Sequence, residues 1–209
     1  AASLFDGHDA AINIMRRILQ QQGAEIIHLG HNRSVEEIVK AAIEEDADGI
    51  AISSYQGGHT EFFKYMVDLL KDADCSHIKI FGGGGGTITD AERDELHSYG
   101  VEQIFSVEDG RIMGLVGMIE HMIQTCQSVE KVWCKDPLSA AKGKERALLA
   151  QAISSIENTL EKPTIAASKK NAPVIGITGT GGAGKSSLTD EIIRRYIHAY
   201  PEKSIAILS

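Results

Sequence analysis

Short apolar runs and helical stripes alternate along residues 1–126. Five of the runs predict strands, at residues 3–5, 25–29, 49–53, 79–81 and 103–106. Between them, apolar residues recur at the i, i+3 and i+4 spacing of helices that bury one face. Two of these stripes are Ile12, Met15, Ile18 and Leu19, and Phe62, Met66, Leu69 and Leu70. With a further helix predicted over residues 111–125, the pattern indicates five β-α units in succession.

Capping boxes mark the start of two of the predicted helices. Ser34 is followed by Glu37, and Thr89 by Glu92, so each pair can satisfy free N–H groups at a helix N-terminus. The first helix is predicted to run through Asp46, and the second to stop near Gly100.

Successive β-α units imply a parallel sheet with helices on both faces, because each parallel return needs a crossover. The predicted fold class for residues 1–126 is α/β, a five-stranded, parallel, doubly wound sheet of the flavodoxin-like kind. Ligands bind such sheets beyond the carboxyl ends of the strands. The loops that could carry function are therefore residues 6–9, 30–34, 53–59 and 82–87.

The rest of the chain has a different character. Residues 127–172 are predicted to be a helical linker, with a helix over 138–161 and a Pro- and Lys-containing connection over 162–173. A new strand is predicted from Val174, and residues 173–209 read as the first part of a second α/β domain. The chain opens without Met inside an apolar run and closes inside a predicted strand, so we expect it to be a piece of a longer polypeptide.

Composition narrows the class of protein. The 209 residues are 43% hydrophobic and 24% charged, as is typical of a soluble globular chain, and no apolar run is long enough for a membrane span. The net charge of −8 argues against a nucleic-acid partner. Cys75, Cys126 and Cys134 form neither a disulfide framework nor a zinc pattern, which predicts a cytoplasmic location.

The loop after the first predicted strand brings together Asp6, Gly7, His8 and Asp9. A neutral imidazole nitrogen can ligate a metal while the other ring N–H is donated to a carboxylate, which fixes the tautomer and raises the basicity of the ligand. Asp6 is the natural partner for His8. For this triplet alone, the alternative is that Asp6 caps the next helix and His8 is solvated.

Two further loops at the same edge have little side-chain bulk. Residues 53–58 read Ser-Ser-Tyr-Gln-Gly-Gly, and residues 82–86 are five consecutive glycines. Bare backbone lets a bulky group lie close, although a flexible loop is the alternative for the glycine run. Together with a ligating histidine, these loops indicate a long slot beside a metal.

Three elements of this edge resemble the cobalamin-binding domain of vitamin B12-dependent mutases. Residues 6–11, Asp-Gly-His-Asp-Ala-Ala, are similar to its D-x-H-x-x-G motif, residues 53–55 to its S-x-L element, and Gly82-Gly83 to its G-G element. Two positions depart from the pattern, since Ala11 stands for the last glycine and Tyr55 for the leucine.

The resemblance implies that His8 replaces the cofactor's dimethylbenzimidazole as the lower cobalt ligand, with Asp6 as its partner. The displaced nucleotide tail would enter the slot. The cofactor-binding residues implied are Asp6, Gly7, His8, Asp9, Ser53, Tyr55, Gly57, Gly58, Gly82 and Gly83.

A second motif lies near the end of the chain. Residues 179–186 match G-x-x-x-x-G-K-[ST] between an apolar run at 174–178 and a helical stripe, which is the strand–loop–helix context of a P-loop. Backbone N–H groups would cradle phosphates, Lys185 would reach the β and γ phosphates, and the Ser186 hydroxyl would bind Mg²⁺. The predicted nucleotide-binding residues are Gly181, Gly182, Ala183, Gly184, Lys185, Ser186 and Ser187.

The two motifs on one chain resemble the fused isobutyryl-CoA mutases, in which a B12 domain, a G-protein chaperone domain and a substrate barrel share a polypeptide. The resemblance implies adenosylcobalamin, GTP and Mg²⁺, an acyl-CoA substrate and interconversion of isobutyryl-CoA and n-butyryl-CoA. It also implies a homodimer for the full-length protein. Since no barrel sequence is present, we expect this piece to bind B12 without isomerising a substrate. Taken alone, the sequence does not distinguish GTP from ATP.

Two other functions remain open at this point. One is a corrinoid-carrying methyltransferase or B12 sensor module, which uses the same Asp-x-His slot. The other is a P-loop NTPase with a flavodoxin-like partner domain and no cobalt. His59, in the loop after the third strand, is a further candidate to line the pocket.

Overall fold

The computed structural model describes residues 1–3, 9–129, 146–159 and 172–207. The chain divides into two compact units, Ala1–Ile165 and Ala166–Ser209. The first unit contains α1 (Asp9–Gln21), α2 (Val35–Glu44), β1 (Gly49–Ser53), α3 (His59–Asp72), β2 (Lys79–Gly83), α4 (Asp90–Tyr99), β3 (Gln103–Phe105), α5 (Val107–Gln127) and α6 (Arg146–Thr159). The described part of the second unit contains α7 (Lys185–Ala199).

A parallel sheet with the strand order β1-β2-β3 forms the centre of the first unit. Ser53 of β1 lies opposite Gly83 of β2, and Gly83 lies opposite Phe105 of β3. The carboxyl ends of the three strands therefore meet at one edge, as the β-α pattern predicted.

Residues 1–3 extend the sheet beyond β1 through two isolated parallel bridges, Ala2 with Ser53 and Ser3 with Arg33. The backbone N–H of Ser3 donates to the Ser53 carbonyl at 3.0 Å, and that of Ser53 donates to the Ala1 carbonyl at 3.0 Å. The spatial order is thus residues 30–33, residues 1–3, β1, β2 and β3, which is the order of a doubly wound, flavodoxin-like sheet.

Helices cover both faces of this sheet. A Cβ at Gly82 would point at Phe63 of α3, whereas a Cβ at Gly49 would point at Cys126 of α5. Helices α2, α3 and α4 contact one another on the first face, and α1 contacts α5 on the second. Because side chains alternate between faces along a strand, Ile50 and Ile52 point into the main core while Ser53 and Gly83 lie on the α5 face.

The main core lies between the sheet and helices α2–α4. Its members are apolar side chains with 7% exposure or less: Val35, Ile38, Val39, Ala42, Ile50, Ile52, Phe63, Met66, Val67, Leu70, Cys75, Ile78, Ile80, Leu96, Val101 and Ile104. The predicted α3 stripe is confirmed at Met66 and Leu70, which are 0% and 2% exposed.

Local signals in the sequence set the helix ends. Both predicted capping boxes are present, at the N-termini of α2 and α4. Helix α4 ends at Tyr99, and its C-cap is Gly100, whose φ of 127° suits glycine. Helix α2 ends at Glu44, slightly before the predicted Asp46. Helix α5 begins at Val107 rather than Arg111, because Ser106 and Asp109 form a further capping box, and it breaks at Gly114.

Of the strands predicted in the first unit, one is absent and another is longer than predicted. Residues 25–29 form no strand, since the backbone that borders residues 1–3 is Gly30 to Arg33, and Ile27 is 46% exposed. The strand predicted over 79–81 runs on through Gly83, so the first two glycines of the run belong to β2. With residues 4–8 outside the described ranges, three regular strands are observed among the described residues where five were predicted.

In the second unit, the strands predicted over 174–178 and 204–209 were also wrong as far as the structure describes them, because residues 174–178 and 204–207 pair with no neighbouring strand in the described ranges. Val174 and Ile175 are 94% and 79% exposed. The helix after the P-loop motif is confirmed as α7.

The predicted linker is only partly described. Helix α6 lies within the predicted helix 138–161 and packs on α2, where Arg146 pairs with Glu44. Residues 130–145 and 160–171 lie outside the described ranges, so the predicted domain boundaries at 126 and 172 stay predictions. Neither Cys75 nor Cys126 is in a disulfide, and burial raises the pKa of the Cys126 thiol to about 11. None of the helices in the described ranges combines the length and apolar character needed to cross a bilayer.

Substituting Gly82 tests the packing of α3 on the sheet. In Gly82→Ala the new methyl would lie 2.4 Å from Phe63 Cζ and 2.7 Å from Ile104 Cδ1, so overpacking should lower the free energy of unfolding by about 1–3 kcal/mol. Chemical denaturation measures the change. The matched control is Gly83→Ala, whose methyl would meet only Phe105 O at 3.6 Å; an equal loss in both variants would contradict the assignment of faces.

Candidate functional site

The candidate site lies where the chain leaves residues 1–3 and β1. The segment after residues 1–3 leads to α1 on the α5 face, whereas the loop after β1 leads to α3 on the opposite face. Connections that diverge to opposite faces at adjacent strands create the crevice in which doubly wound sheets bind ligands. Residues 4–8, the first of these connections, lie outside the described ranges.

The second connection is held against the glycine run of β2 through backbone atoms. The Ser54 N–H donates to the Gly83 carbonyl at 2.8 Å. A Cβ at Gly84 would lie 2.2 Å from the Ser54 carbonyl oxygen, closer than any real contact. Only glycine therefore lets the start of the β2–α4 loop (residues 84–89) approach the end of β1.

Side-chain hydroxyls stabilise the same contact. The Thr87 hydroxyl donates to the Gly84 carbonyl at 2.7 Å, with the Ser54 carbonyl 3.3 Å away. Ser54 is 1% exposed, and its hydroxyl accepts from the Ser3 hydroxyl at 3.2 Å. These bonds join residues 1–3, β1 and the β2–α4 loop into one edge.

Tyr55, which stands where the S-x-L element of the resembled family has leucine, lies over the glycine run. A Cβ at Gly85 would lie 2.3 Å from Tyr55 Cε1 and 3.1 Å from its hydroxyl oxygen, and Gly85 has a φ of 56°. Any side chain at Gly85 would displace the ring. The tyrosine therefore forms one wall of the edge, with 38% of its surface exposed.

Other glycines of the predicted site differ in what surrounds them. Gly57 and Gly58 have nothing within 4 Å of a built Cβ, and Gly58 has a φ of 78°. Gly83 has only ordinary contact with Phe105 O on its open side. Gly82, by contrast, faces the core. Open backbone thus remains at Gly57, Gly58 and Gly83, next to Ser53.

His59 connects the β1–α3 loop (residues 54–58) to α4. The side chain opens α3 and is 7% exposed, with Nδ1 3.3 Å from the Gln56 carbonyl oxygen. Its Nε2 lies 3.3 Å from Glu92 Oε1. The hydroxyl and backbone N–H of Thr89 hold the pKa of the Glu92 carboxyl below its ordinary value, and His59 adds to the effect.

The predicted cobalt ligand itself lies outside the described residues. So do Asp6 and Gly7, while Asp9 is the first residue of α1. Within the described ranges, no group of three His, Cys, Asp or Glu side chains could hold a metal ion. The described structure therefore places Ser53 beside Gly83 and Tyr55 over Gly85, directs Gly82 into the core, and leaves the roles of His8 and Asp6 as predictions.

A second candidate site is the P-loop motif of the second unit. Gly182 and Gly184 have φ values of 76° and 78°, which glycine adopts without strain. Helix α7 begins at Lys185 with no side-chain cap, so its first N–H groups are available to an anion. Lys185 Nζ donates to the Thr180 carbonyl at 2.8 Å, across the loop.

Sequence reasoning missed two contributors to the first site. Ser54 and Thr87 lie beside motif positions but carry no motif of their own, and their roles depend on contacts between segments about 30 to 50 residues apart. The Thr89–Glu92 capping box was predicted, and it placed Glu92 on α4 without indicating that His59 would face it.

Comparison with known proteins adds independent observations. Residues 1–104 match the family model described as the B12 binding domain. The chain is 56% identical, in an alignment of 222 positions, to the fused isobutyryl-CoA mutase of Geobacillus kaustophilus. It is 56% identical, in an alignment of 216 positions, to that of Cupriavidus metallidurans. Each match covers 100% of this chain and 20% of the relative, so the chain spans a fifth of their length.

A shorter relative matches about half of the chain. The pivalyl-CoA mutase small subunit of Xanthobacter autotrophicus is 34% identical over 101 residues, which are 48% of this chain and 66% of that subunit.

The hydroxyl of Thr87 should control the stability of this edge. Thr87→Val removes the donor to the Gly84 carbonyl, and the loss of about 1 kcal/mol should speed hydrogen exchange at the Ser54 amide roughly fivefold. Thr87→Ser keeps the hydroxyl and should exchange as the wild type does. Equal exchange in Thr87→Val and wild type would mean that this bond does not hold the loop.

Proposed function

Since this chain belongs to the family of the fused isobutyryl-CoA mutases and carries a B12-binding domain, we propose that it is the cofactor-binding and partial GTPase-chaperone segment of an adenosylcobalamin-dependent isobutyryl-CoA mutase. The observation that carries the proposal is 56% identity in an alignment that spans the whole of this chain. The isomerisation of isobutyryl-CoA to n-butyryl-CoA, GTP hydrolysis and homodimer formation are proposed for the protein as a whole.

The described residues fit a corrinoid with an extended tail. Ser53 and Gly83 are register partners on one face, and no side chain narrows the edge at Gly57, Gly58 or Gly83. A Cβ at Gly84 or Gly85 would disturb the walls of this cradle. Backbone N–H and C=O groups and the Ser53 hydroxyl are the groups available there to a polar tail.

His8 would hold the cobalt from below through one ring nitrogen, and Asp6 would accept the N–H of the other. When bound, adenosylcobalamin supplies the radical chemistry of a carbon-skeleton rearrangement, which is the cofactor's own. The contribution of this chain is to bind and orient the cofactor. Ser53, Gly57, Gly58 and Gly83 would receive the tail, and Tyr55 would pack along it.

The second unit would bind GTP and Mg²⁺. The uncapped N-terminus of α7 and the positive-φ glycines support a phosphate site at residues 181–187. Lys185, held near the loop by the Thr180 carbonyl, would exchange that partner for the β and γ phosphates. Ser186 would contribute its hydroxyl to Mg²⁺.

A corrinoid methyltransferase or B12 sensor would use the same first site. The identity to fused mutases along the whole of this chain, and the match to a mutase small subunit, favour the isomerase instead.

The cobalt ligand is tested in the protein at its full natural length. In protein labelled with ¹⁵N-histidine, the electron paramagnetic resonance splitting of bound cob(II)alamin should change, because a protein imidazole is the ligand. His8→Ala should abolish that isotope effect and weaken cobalamin affinity by about tenfold or more. His77→Ala is the control, since His77 precedes β2 at the opposite edge of the sheet. An isotope-sensitive spectrum that survives in His8→Ala would remove the assignment.

The nucleotide site is tested by Lys185→Ala. Loss of a cation from the phosphates should weaken GTP binding by about 10- to 100-fold, measured by calorimetry with Mg²⁺ present. Lys203→Ala, an exposed lysine of the same unit, should bind as the wild type does. Wild-type affinity in Lys185→Ala would contradict a P-loop function, and tighter binding of ATP than of GTP would contradict the proposed nucleotide.

A further inference from the structure

His59 is a buried imidazole whose two nitrogens both face oxygen acceptors. Nδ1 lies 3.3 Å from the carbonyl of Gln56, in the β1–α3 loop, and Nε2 lies 3.3 Å from Oε1 of Glu92, on α4. Nε2 makes no hydrogen bond in the structure, and only 8% of the side chain is exposed to water. A buried polar atom left unpaired is destabilising, so its retention needs a reason.

Glu92 is a firmly held counterpart for this nitrogen. Its Oε2 accepts from the backbone N–H of Thr89 at 2.8 Å and from the Thr89 hydroxyl at 2.7 Å, which leaves Oε1 directed at His59. The carboxylate is therefore fixed to the N-terminus of α4 by its own capping box. Either ring nitrogen, when it carries a proton, has an oxygen acceptor in front of it: the Gln56 carbonyl for Nδ1 and Glu92 Oε1 for Nε2.

These contacts span the two loops that flank the proposed cofactor slot. The β1–α3 loop contains Gly57 and Gly58, and the β2–α4 loop ends at Thr89, where α4 begins. The two loops meet through backbone at Ser54 and Gly84, and His59 with Glu92 joins them again at the far end. The spacing between the loops is thus determined at both ends.

We propose that His59 and Glu92 are positioning residues that set the width of the slot for the nucleotide tail of a corrinoid. The proposal rests on the proposed cobalamin function. Neither side chain contacts the cobalt in this scheme. They act through the β1–α3 loop, which carries Tyr55, Gly57 and Gly58.

The chain provides a matched control on the same two helices. Lys64 of α3 pairs with Glu95 of α4, one turn beyond His59 and Glu92 and away from the loops. Glu95→Ala removes a carboxylate contact between α3 and α4, as Glu92→Ala does, but leaves the capping box of α4 intact, which Glu92→Gln also preserves. If general loosening of the two helices were the cause of an effect, both variants would display it.

The experiment compares two corrinoid probes on the full-length protein. Hydroxocobalamin carries the nucleotide tail, and cobinamide is the corrinoid that lacks it. Glu92→Ala and His59→Asn should weaken hydroxocobalamin binding on the order of tenfold and change cobinamide binding less than twofold. His59→Asn keeps an amide donor for Gln56 and removes the atom that faces Glu92, so it also serves if Glu92→Ala fails to fold.

A conservative variant should rescue binding. Glu92→Gln preserves the capping box, and its amide can donate to Nε2 of His59, so its affinity for hydroxocobalamin should stay within about twofold of wild type. Glu95→Ala should also bind as the wild type does. A purely structural contact would lower the thermal unfolding midpoint without separating the two corrinoids.

Three results would overturn the proposal: equal weakening in Glu95→Ala, equal weakening for cobinamide, or wild-type hydroxocobalamin affinity in both Glu92→Ala and His59→Asn. None of these affects the proposed function, which stands as long as the wild-type protein binds hydroxocobalamin with an imidazole ligand. A wild-type protein that binds neither corrinoid overturns both.

Discussion

The edge of the sheet in the first unit depends on one close contact between two backbone segments, at Ser54 and at Gly83–Gly84. The carbonyl of Ser54 lies where a Cβ of residue 84 would be, and the Ser54 N–H bonds to the Gly83 carbonyl. No side chain fits between these atoms, so the loops after β1 and β2 become one continuous edge only because residue 84 is glycine. Tyr55, Thr87 and Ser3 then attach to that edge through ring contact and hydroxyl bonds.

The glycines of residues 82–86 therefore have different structural roles. Gly82 lies in β2 and admits Phe63 to the core, Gly84 admits the Ser54 carbonyl, and Gly85 lies under Tyr55. Gly83 is different, because its open side has only ordinary contact and it stands beside Ser53. A flexible loop does not describe these positions, since at least three of the five glycines meet specific atoms within 3 Å of a built Cβ. The same packing that closes the fold leaves bare backbone for a ligand.

The two units connect to function by different physical routes. In the first, a sheet edge supplies shape, and the proposed ligand chemistry comes from a histidine in the segment that leaves residues 1–3. In the second, the helix dipole and uncapped N–H groups of α7 would supply positive potential to the proposed phosphate site. The fused isobutyryl-CoA mutases of Geobacillus kaustophilus and Cupriavidus metallidurans align with the whole chain, which covers a fifth of their length.

Sequence alone determined the features that depend on near neighbours. The helical stripes, the capping boxes at Ser34 and Thr89 and the resemblance of the two motifs could be read from spacing, because a helix satisfies its hydrogen bonds within a few residues. Strands at 25–29 and 174–178 were predicted wrongly, because a strand needs a partner from elsewhere in the chain. Tertiary structure alone decided which glycines face the core and that His59 would meet Glu92 across 33 positions of sequence. Such contacts arise from the packing of whole elements against one another, and no local pattern of residues encodes them.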